Sequence, residues 1–400
     1  MTTIPLPLPA RRPVMSVLAA LSVAHLLNDL VQSMIPALYP LLKQTYQLDF
    51  MQIGLITLAF QVTSSLLQPL LGFLTDRKPW PYAMVAGMGS TLIGLITLSY
   101  AQSYGAVLVA AGLIGLGSAV FHPEATRMAR HAAAGRQGLA QGVFQVGGHT
   151  GYAIGPLLAA AIVVPRGQES LAWFSGVVLV AMLLMAWTAG RYSALRREQG
   201  AAKSHGDDVA GHGLSSVRVL FAMAVLILLL FSKNAYTAAF TSYYTFYLIE
   251  RFGVSVQLSQ IMLFVYLVVG AAGVIIGGMI GDRIGRDRVI WLSILGTLPF
   301  ALLLPLADLF WTGVLSIVIS FVMASAFSAI LIYAIDLAPH RVGLVGGLFY
   351  GLAFGLGGVC AAGLGILADR VGIVEVFRLC AWLPALGLLT FLLPRRARHV

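Results

Sequence analysis

One polar stripe near the beginning of the chain contains the residue types that handle protons. It consists of four side chains at positions i, i+3, i+4 and i+7, namely His25, Asn28, Asp29 and Gln32. This spacing places all four on one face of a helix. Neighbouring imidazole and carboxylate groups can exchange a proton, and amides can bind a polar solute. We therefore expect the histidine and the acid to couple protons and the two amides to contact a substrate. A hydrogen-bonded contact between helices is the alternative interpretation.

A second ionisable group lies in the segment Phe121-His122-Pro123-Glu124, with an arginine at position 127. Glu124 and Arg127 are i, i+3 neighbours, which can neutralise each other on a helix. Glu124 is also the second candidate, after Asp29, for a proton-carrying carboxylate, and Arg127 is a candidate substrate contact. The sequence leaves structural pairing and proton gating as equal alternatives for these two residues. His122 is assigned to proton coupling.

A third apolar stretch contains Gln145 and His149, one helical turn apart. We expect His149 to relay protons or to bind an anion, and Gln145 to contact substrate, because polar side chains inside a membrane usually face a cavity. The alternative for the histidine is a satisfied contact between helices. A metal site is conceivable from the set His25, Asp29, His122 and His149. The scattered positions and the lack of nearby thiolates disfavour it, so no metal or cofactor is expected.

A single lysine lies far inside another apolar stretch. Lys233 has no acidic residue within one helical turn, and from mid-span its side chain is too short to reach water. An ammonium group that faces a cavity suits an anionic substrate such as a phosphonate. The alternative is a salt bridge to Asp29 or Glu124 from another segment. Tyr243 and Tyr244, farther along the same stretch, are further candidate substrate contacts.

The composition explains where these polar residues must lie. The 400-residue chain is 59% hydrophobic and 10% charged, with a mean hydropathy of +0.89. Soluble domains are about 45–50% apolar and about 25% charged, so this chain cannot cover a water-facing surface. The composition excludes a soluble enzyme, a nucleic-acid-binding protein and a disordered chain. The two cysteines lie in apolar stretches, so no disulfide framework is expected.

Twelve stretches are long and apolar enough to cross a membrane, since a helical span needs roughly 20 mostly apolar residues. The windows are 14–38, 50–74, 81–101, 104–129, 138–164, 170–191, 218–248, 257–280, 289–307, 311–335, 343–368 and 373–394. We therefore predict an all-α membrane protein with twelve transmembrane helices.

The basic residues predict the orientation. Of the 25 Lys and Arg residues, 19 fall on one set of loops and tails, five on the other set, and Lys233 inside a span. Because basic residues concentrate in cytoplasmic loops, both termini are predicted to be cytoplasmic. The net charge of +10 follows from the same bias rather than from a polyanionic partner.

The chain divides into two similar halves. The most polar stretch, 193–217, follows six windows and precedes six, so we predict a cytoplasmic linker there, between an N-terminal half at 1–192 and a C-terminal half at 218–400. Gly72-Phe-Leu-Thr-Asp76-Arg77 follows the second window, and Gly278-Met-Ile-Gly-Asp282-Arg283 follows the eighth. Two six-helix halves of this kind are typical of a secondary transporter whose site lies near the membrane midplane.

The two Gly-x-x-x-Asp-Arg loops resemble the conserved loop of the major facilitator superfamily, and the resemblance covers the whole chain. It implies the major facilitator fold, with Gly72, Asp76, Arg77, Gly278, Asp282 and Arg283 acting in a conformational lock. A third copy, Gly365-x-x-x-Asp369-Arg370, falls on the opposite side of the membrane and is not assigned to the lock. The glycine-rich run that ends in Gly155-Pro156 resembles the motif in the fifth helix of drug–proton antiporters, although small-residue packing also explains it.

Longer runs resemble one family within that superfamily. They are the stripe from Ala24 to Ser33, Phe121-His122-Pro123-Glu124, Phe144-Gln145-Val-Gly-Gly148 and Thr241 to Tyr247. Together they are similar to the fosmidomycin resistance protein family, bacterial inner-membrane exporters of a phosphonate antibiotic. The resemblance implies proton-coupled antiport that expels a small anionic drug or metabolite.

This interpretation sets the expected partners: a small-molecule substrate, protons and the lipid bilayer, with a monomeric chain and no nucleic acid. A broad-specificity drug exporter and a proton-coupled uptake symporter are the alternatives. A membrane-embedded enzyme that uses the histidine–carboxylate pairs as acid and base is disfavoured by the duplicated halves.

Overall fold

The computed structural model describes residues 14–77, 80, 82–133, 137–199, 216–337 and 342–393. These residues form α-helices joined by short 3-10 and π turns, and among them there is no β-strand. Helices are the expected form because an apolar segment in a bilayer must satisfy its backbone hydrogen bonds internally. The predicted all-α class is confirmed for the part of the chain described.

The first half of the chain contains α1 to α8. They are α1 (Met15–Ala37), α2 (Tyr39–Tyr46), α3 (Phe50–Arg77), α4 (Ala83–Ser99), α5 (Tyr104–Ala132), α6 (Gln137–Leu158), α7 (Val164–Arg166) and α8 (Ser175–Gln199). A π turn at Ala159–Val163 joins α6 to α7, and a 3-10 helix at Gln168–Phe174 precedes α8.

The second half contains α9 to α16. They are α9 (Ser216–Phe252), α10 (Val256–Ile284), α11 (Arg286–Ile294), α12 (Leu298–Leu303), α13 (Leu309–Ala324), α14 (Ala326–Leu337), α15 (Val342–Val371) and α16 (Ile373–Cys380). Short 3-10 segments flank α12, and a 3-10 helix at Leu383–Leu392 follows α16.

Each predicted window coincides with a helix or a run of helices. Nine helical segments within the described residues are long and apolar enough to cross a membrane, and two shorter apolar helices, Phe50–Ser65 and Ala83–Ser99, accompany them. The chain is thus a multi-pass helical membrane protein, while the count of twelve spans stays a prediction.

Two local features were not expected from the windows. The short helix α2 turns the chain between α1 and α3, and the residue that follows it, Gln47, has a left-handed backbone with φ 53°. The Lys43 ammonium donates to the Leu48 carbonyl at 2.5 Å and holds this turn. The π turn begins at Ala159, three residues after Pro156 in the last turn of α6. Proline has no N–H for the preceding turn, so the regular hydrogen-bond ladder is already broken there.

Glycines bring α6 close to α1. A Cβ atom at Gly147 or Gly151 would overlap the backbone carbonyl of Ser22 or Leu26, and one at Gly155 would overlap the Ser33 hydroxyl. Only a residue without a side chain allows this separation, which is the usual role of small residues in membrane helix packing. Gly155 therefore has a packing role here, and Pro156, buried beside it, precedes the π turn.

The two halves meet through α3 and α15, and through α6 and α10. The end of the bundle where α3 begins and α15 ends is named the Asp369 face below. Near it, the Tyr243 hydroxyl lies 2.7 Å from the Ala361 carbonyl oxygen of its own half and 3.2 Å from the Phe50 carbonyl oxygen of the first half. The Gln260 amide donates to the Ala37 carbonyl at 2.6 Å. The Tyr243–Phe50 and Gln260–Ala37 contacts join the halves at this end.

The predicted linker and loop motifs lie at the margins of the described structure. α8 continues to Gln199 and α9 begins at Ser216, so the described helices extend into the predicted linker 193–217 from both sides. Residues 200–215 are outside the described part. Asp76 and Arg77 end α3, and the second motif forms the last turns of α10. The side chains of Asp76, Arg77, Asp282 and Arg283 lie outside the described residues, as do the surroundings of Gly72 and Gly278.

Candidate functional site

The polar stripe of α1 contains a close histidine–carboxylate pair. His25 Nε2 lies 3.2 Å from Asp29 Oδ2, one helical turn away. His25 is buried and Asp29 is half-buried. The Asn28 side-chain amide donates to Asp29 Oδ1 at 2.9 Å, so both carboxylate oxygens have a polar partner. Such a pair near the middle of an apolar helix can hold one proton between two groups.

The orientation of the His25 ring is fixed by α6. Its Nδ1 lies 2.9 Å from the Phe144 carbonyl oxygen, and the two rings stack with centroids 4.1 Å apart. A Cβ atom at Gly148 would overlap the ring atoms of His25. The Nδ1–H therefore donates to a backbone carbonyl, and Nε2 is directed at Asp29. Sequence reasoning missed Phe144 as the residue whose carbonyl and ring position this histidine.

His122 extends the pair to a second helix. Its ring, on α5, is 5.2 Å from the His25 ring, edge to face. His122 Nδ1 lies 3.1 Å from the Ser118 carbonyl oxygen and 3.2 Å from the Ser118 hydroxyl. Phe121 packs against both histidines at 5.5 Å. Three predicted residues from two separate segments, His25, Asp29 and His122, therefore form one cluster.

His149 and Lys233 are predicted site residues that belong to two different halves of the chain. His149, half-buried on α6, lies in the electrostatic field of Asp29, His25 and Lys233. Lys233 is half-buried near the middle of α9. The Lys233 ammonium of the second half is thus within electrostatic range of the His149 imidazole of the first half.

Glu124 forms an ion pair with Arg127. Its Oε1 lies 2.7 Å from Arg127 Nη1, one turn along α5, and Glu124 is buried while Arg127 is half-buried. This geometry favours the structural alternative for the two residues. Gln145, next to Phe144 on α6, is half-buried.

Several buried polar atoms of the described residues have no hydrogen-bond partner. Within the stripe and the helices that face it they are Asn28 Oδ1, Gln32 Nε2, His149 Nε2 and Asn234 Nδ2. Buried polar atoms are nearly always satisfied, so these four atoms are candidate contacts for a solute or for water. Asn234, next to Lys233, was not among the predicted site residues. Its position beside an intramembrane lysine is the signal that identifies it.

The two predicted tyrosines occupy other environments. Tyr243 bonds the two halves near the Asp369 face, as described above. Tyr244 lies among aromatic rings, with centroids 5.0 Å from Phe240, 6.3 Å from Tyr266 and 6.4 Å from Phe377. In this structure one tyrosine joins the two halves and the other packs in the second half, so a direct substrate contact stays a prediction for both.

A family model and two relatives match most of this chain. The model described as Major Facilitator Superfamily matches residues 21–362. The fosmidomycin resistance protein of Escherichia coli (strain K12) is 52% identical over 379 residues, which cover 94% of this chain and 92% of that protein. The MFS-type transporter YfnC of Bacillus subtilis (strain 168) is 39% identical over 383 residues, covering 94% and 92%.

Solved structures share the fold. The nucleoside transporter NupG has a TM-score of 0.72 at 13% identity and covers 95% of this chain and 99% of its own. A bacterial homolog of the human lysosomal transporter Spinster, in an inward-facing and occupied conformation, has a TM-score of 0.71 at 15% identity and covers 94% of both chains. These identities establish the fold alone. With the family model and the close relatives, they lead to one conclusion: the chain is a small-molecule transporter that belongs to the Major Facilitator Superfamily and, within it, to the fosmidomycin resistance protein family.

Proposed function

We propose that the protein is a proton-coupled antiporter that exports a small anionic, phosphonate-like drug or metabolite by alternating access across the bacterial inner membrane. The observation that carries the proposal is the 3.2 Å contact between His25 and Asp29 in the interior of α1. Ionisable groups inside a span cost about 2.5–3.5 kcal/mol each on insertion scales, and they usually serve proton or substrate pathways.

Asp29 is the proposed proton carrier. Its carboxylate has a histidine on one oxygen and an amide on the other, so protonation changes the charge of a small, isolated group of side chains. Glu124 is the second candidate, but its carboxylate already neutralises Arg127 at 2.7 Å. A carboxylate paired with a permanently charged guanidinium is less free to exchange its proton during each cycle.

The histidines are the proposed relay. His25 contacts Asp29 directly, and His122 stands edge to face against the His25 ring at 5.2 Å. His149 lies within the electrostatic field of the same pair. A proton that leaves Asp29 thus meets imidazoles on α1, α5 and α6. Each of these can accept a proton near neutral pH, which is the property a relay needs.

Lys233 is the proposed anchor of the substrate anion. A compact ammonium is a recurrent partner of phosphate-like groups, and Lys233 shares the electrostatic environment of His149. Gln32 Nε2, His149 Nε2 and Asn234 Nδ2 supply buried nitrogen atoms without a partner among the described residues. Groups from both halves would therefore hold one anion between them, as the midplane site of a two-half transporter requires.

The relative named fosmidomycin resistance protein supports the substrate class. Because the two sequences are 52% identical over 94% of this chain, we propose that both proteins have the same kind of substrate pocket. We therefore propose fosmidomycin, a phosphonate, as the first compound to test.

The proton gradient supplies enough free energy for this task. One charge that crosses 100 mV yields about 2.3 kcal/mol. A proton that enters down roughly 150 mV therefore yields about 3.5 kcal/mol, which supports a several-hundredfold gradient of substrate. Export of an anion is favoured further by an inside-negative potential. Exchange of one proton for one monoanion is accordingly expected to be strongly electrogenic.

Alternating access requires that the halves separate at one end while they close at the other. The basic-residue count assigns the Asp369 face to the extracytoplasmic side, with both termini cytoplasmic. The contacts of Tyr243 with Phe50, of Gln260 with Ala37 and of Asp369 with Phe50 then close the extracytoplasmic side. Release of substrate to the outside would require these contacts to break.

Proteoliposomes that contain the purified chain test the proposal. An imposed pH gradient is expected to drive fosmidomycin against its own gradient, with protons moving the opposite way, and an imposed membrane potential is expected to change the rate. Protein-free liposomes are the control. If neither the pH gradient nor the membrane potential changes the transport of fosmidomycin, proton coupling is refuted. Movement of protons and substrate in the same direction would instead establish a symporter.

A further inference from the structure

Three metal-ligating side chains converge at the junction of α1 and α5. One ligand atom from each of His25, Asp29 and His122 lies within 4.8 Å of the other two. The first two are one turn apart on the same helix, at 3.2 Å. A pair of ligands at i, i+4 on one helix, completed by a third from another helix, is a recurrent way to hold a transition metal.

The orientation of the two imidazoles suits metal binding. Nδ1 of His25 lies 2.9 Å from the Phe144 carbonyl oxygen, and Nδ1 of His122 lies 3.1 Å from the Ser118 carbonyl oxygen. A ring whose Nδ1–H donates to a carbonyl has its lone pair on Nε2. Metal-binding histidines almost always have such an outer partner, which fixes the tautomer and the ring plane.

The carboxylate has an outer partner as well. Asn28 donates to Asp29 Oδ1 at 2.9 Å and leaves Oδ2 directed at His25. Gly148 and the Phe144 ring restrict rotation of the His25 ring from the side of α6. All three candidate ligands are therefore oriented by neighbours before any ion arrives, which lowers the cost of ordering them.

The ligand set selects the class of ion. Two imidazoles and one carboxylate suit Zn²⁺, Ni²⁺ or Co²⁺, whereas Mg²⁺ and Ca²⁺ prefer all-oxygen sites. Zinc bonds to nitrogen and oxygen are about 2.0–2.2 Å long, so tetrahedral ligand atoms lie about 3.4 Å apart. The widest separation, at most 4.8 Å, must therefore close by at most about 1.4 Å. The fourth position remains for water or another solute, as in three-ligand zinc sites.

We infer that His25, Asp29 and His122 form a binding site for one divalent transition-metal ion, with Zn²⁺ as the best-matched probe. The ion would bind Asp29 Oδ2, the oxygen that otherwise faces His25, and would link α1 to α5. Binding itself does not depend on the proposed proton exchange, because the ligands are oriented by the fold.

The test is Zn²⁺ binding to the purified full-length chain in detergent. Cys360 and Cys380 are free and buried, so both are replaced by alanine to remove thiolate ligands, and any purification tag is cleaved. Equilibrium dialysis is expected to give one Zn²⁺ per chain with micromolar affinity. His122→Gln and Asp29→Asn are each expected to weaken binding at least tenfold.

The matched control is His131→Gln. This histidine lies on the same helix as His122, is exposed, and contacts the Tyr192 ring rather than the cluster. Its replacement is expected to leave Zn²⁺ affinity unchanged. Gel filtration checks that each variant is folded. If His122→Gln does not fold, the visible absorption of bound Co²⁺ reports the site in the parent chain and in Asp29→Asn.

Two results would overturn the inference. One is the absence of stoichiometric Zn²⁺ binding in the parent chain. The other is binding that His122→Gln and Asp29→Asn leave intact, because the ion would then sit elsewhere. Neither result bears on proton coupling, which the proteoliposome experiment measures without metal. Conversely, if the chain binds Zn²⁺ but its transport does not respond to a proton gradient, the metal site is supported and proton-coupled antiport is refuted.

Discussion

Asp369, at the end of α15, accepts hydrogen bonds of 2.7 Å from the backbone N–H groups of Phe50 and Met51 at the start of α3. The first N–H groups of a helix have no partner within it and carry its positive dipole end. Asp49 and Gln52 satisfy each other's backbone N–H groups in a reciprocal cap of the same turn. The second half of the chain thus completes the N-terminal cap of a helix in the first half.

The first prediction concerns this contact. Asp369→Ala removes two hydrogen bonds that exist only while the Asp369 face is closed, each worth about 1 kcal/mol. We expect the population open at this face to rise about fivefold or more. A cysteine introduced at Thr57, which is buried in α3, should react faster with a membrane-impermeant maleimide when Cys360 and Cys380 are absent. Glu375→Gln, a carboxylate paired with Arg378 on α16, is the control. Equal labelling rates would show that Asp369 does not hold the face closed.

The second prediction concerns the glycine beneath His25. Gly148→Ala introduces a methyl group where the His25 ring lies, and overpacking of this kind costs about 1–3 kcal/mol. We expect the ring to leave Asp29 and pH-driven transport to fall at least tenfold. Gly142→Ala lies on the same helix, where an added Cβ atom meets nothing within 4 Å, and should transport normally. If both variants behave alike, the ring position does not matter for transport.

The third prediction separates the substrate classes. Lys233→Met removes the charge but keeps most of the volume, so export of fosmidomycin should be lost while a lipophilic cationic dye, if transported at all, is still exported. Lys233→Arg should retain part of the anion transport. Arg191→Met, an exposed cation on α8, serves as the control. Unchanged fosmidomycin export by Lys233→Met would remove this lysine from the substrate site.

The fourth prediction tests the Glu124–Arg127 pair as a structural element. Glu124→Gln should lower stability by about 1–3 kcal/mol, because it leaves a partly buried arginine without its carboxylate partner. The double variant Glu124→Gln, Arg127→Gln should recover part of that loss. Thermal unfolding in detergent measures both effects. Loss of proton coupling in a normally stable Glu124→Gln protein would instead make Glu124 a proton carrier.

Sequence spacing predicts contacts within a helix better than contacts between helices. The i, i+4 spacing of His25 and Asp29 fixes their proximity, because it follows from helix geometry alone. Their contact with His122 depends on how α1 and α5 rotate about their axes, which packing at glycines such as Gly147 and Gly151 decides. Spacing in the sequence therefore does not predict the contact with His122.

The tyrosines show a further limit. Adjacent residues on a helix point about 100° apart, so Tyr243 and Tyr244 could not both face one cavity in the same way. Tyr243 contacts Phe50 of the opposite half, and Tyr244 packs in an aromatic cluster. The sequence predicts no role in the lock for Asp369, because its motif falls on the opposite side of the membrane from the two loop repeats. Its role as a helix cap depends on the packing of the end of α15 beside the start of α3, which the sequence does not predict.

The most direct test of proton carriage by Asp29 compares two modes of transport in one variant. Asp29→Asn removes the titrating group with little change in shape. The account predicts that the variant still exchanges labelled for unlabelled fosmidomycin across proteoliposomes, yet no longer accumulates it when a pH gradient is imposed. Wild-type accumulation by the Asp29→Asn variant would contradict the account.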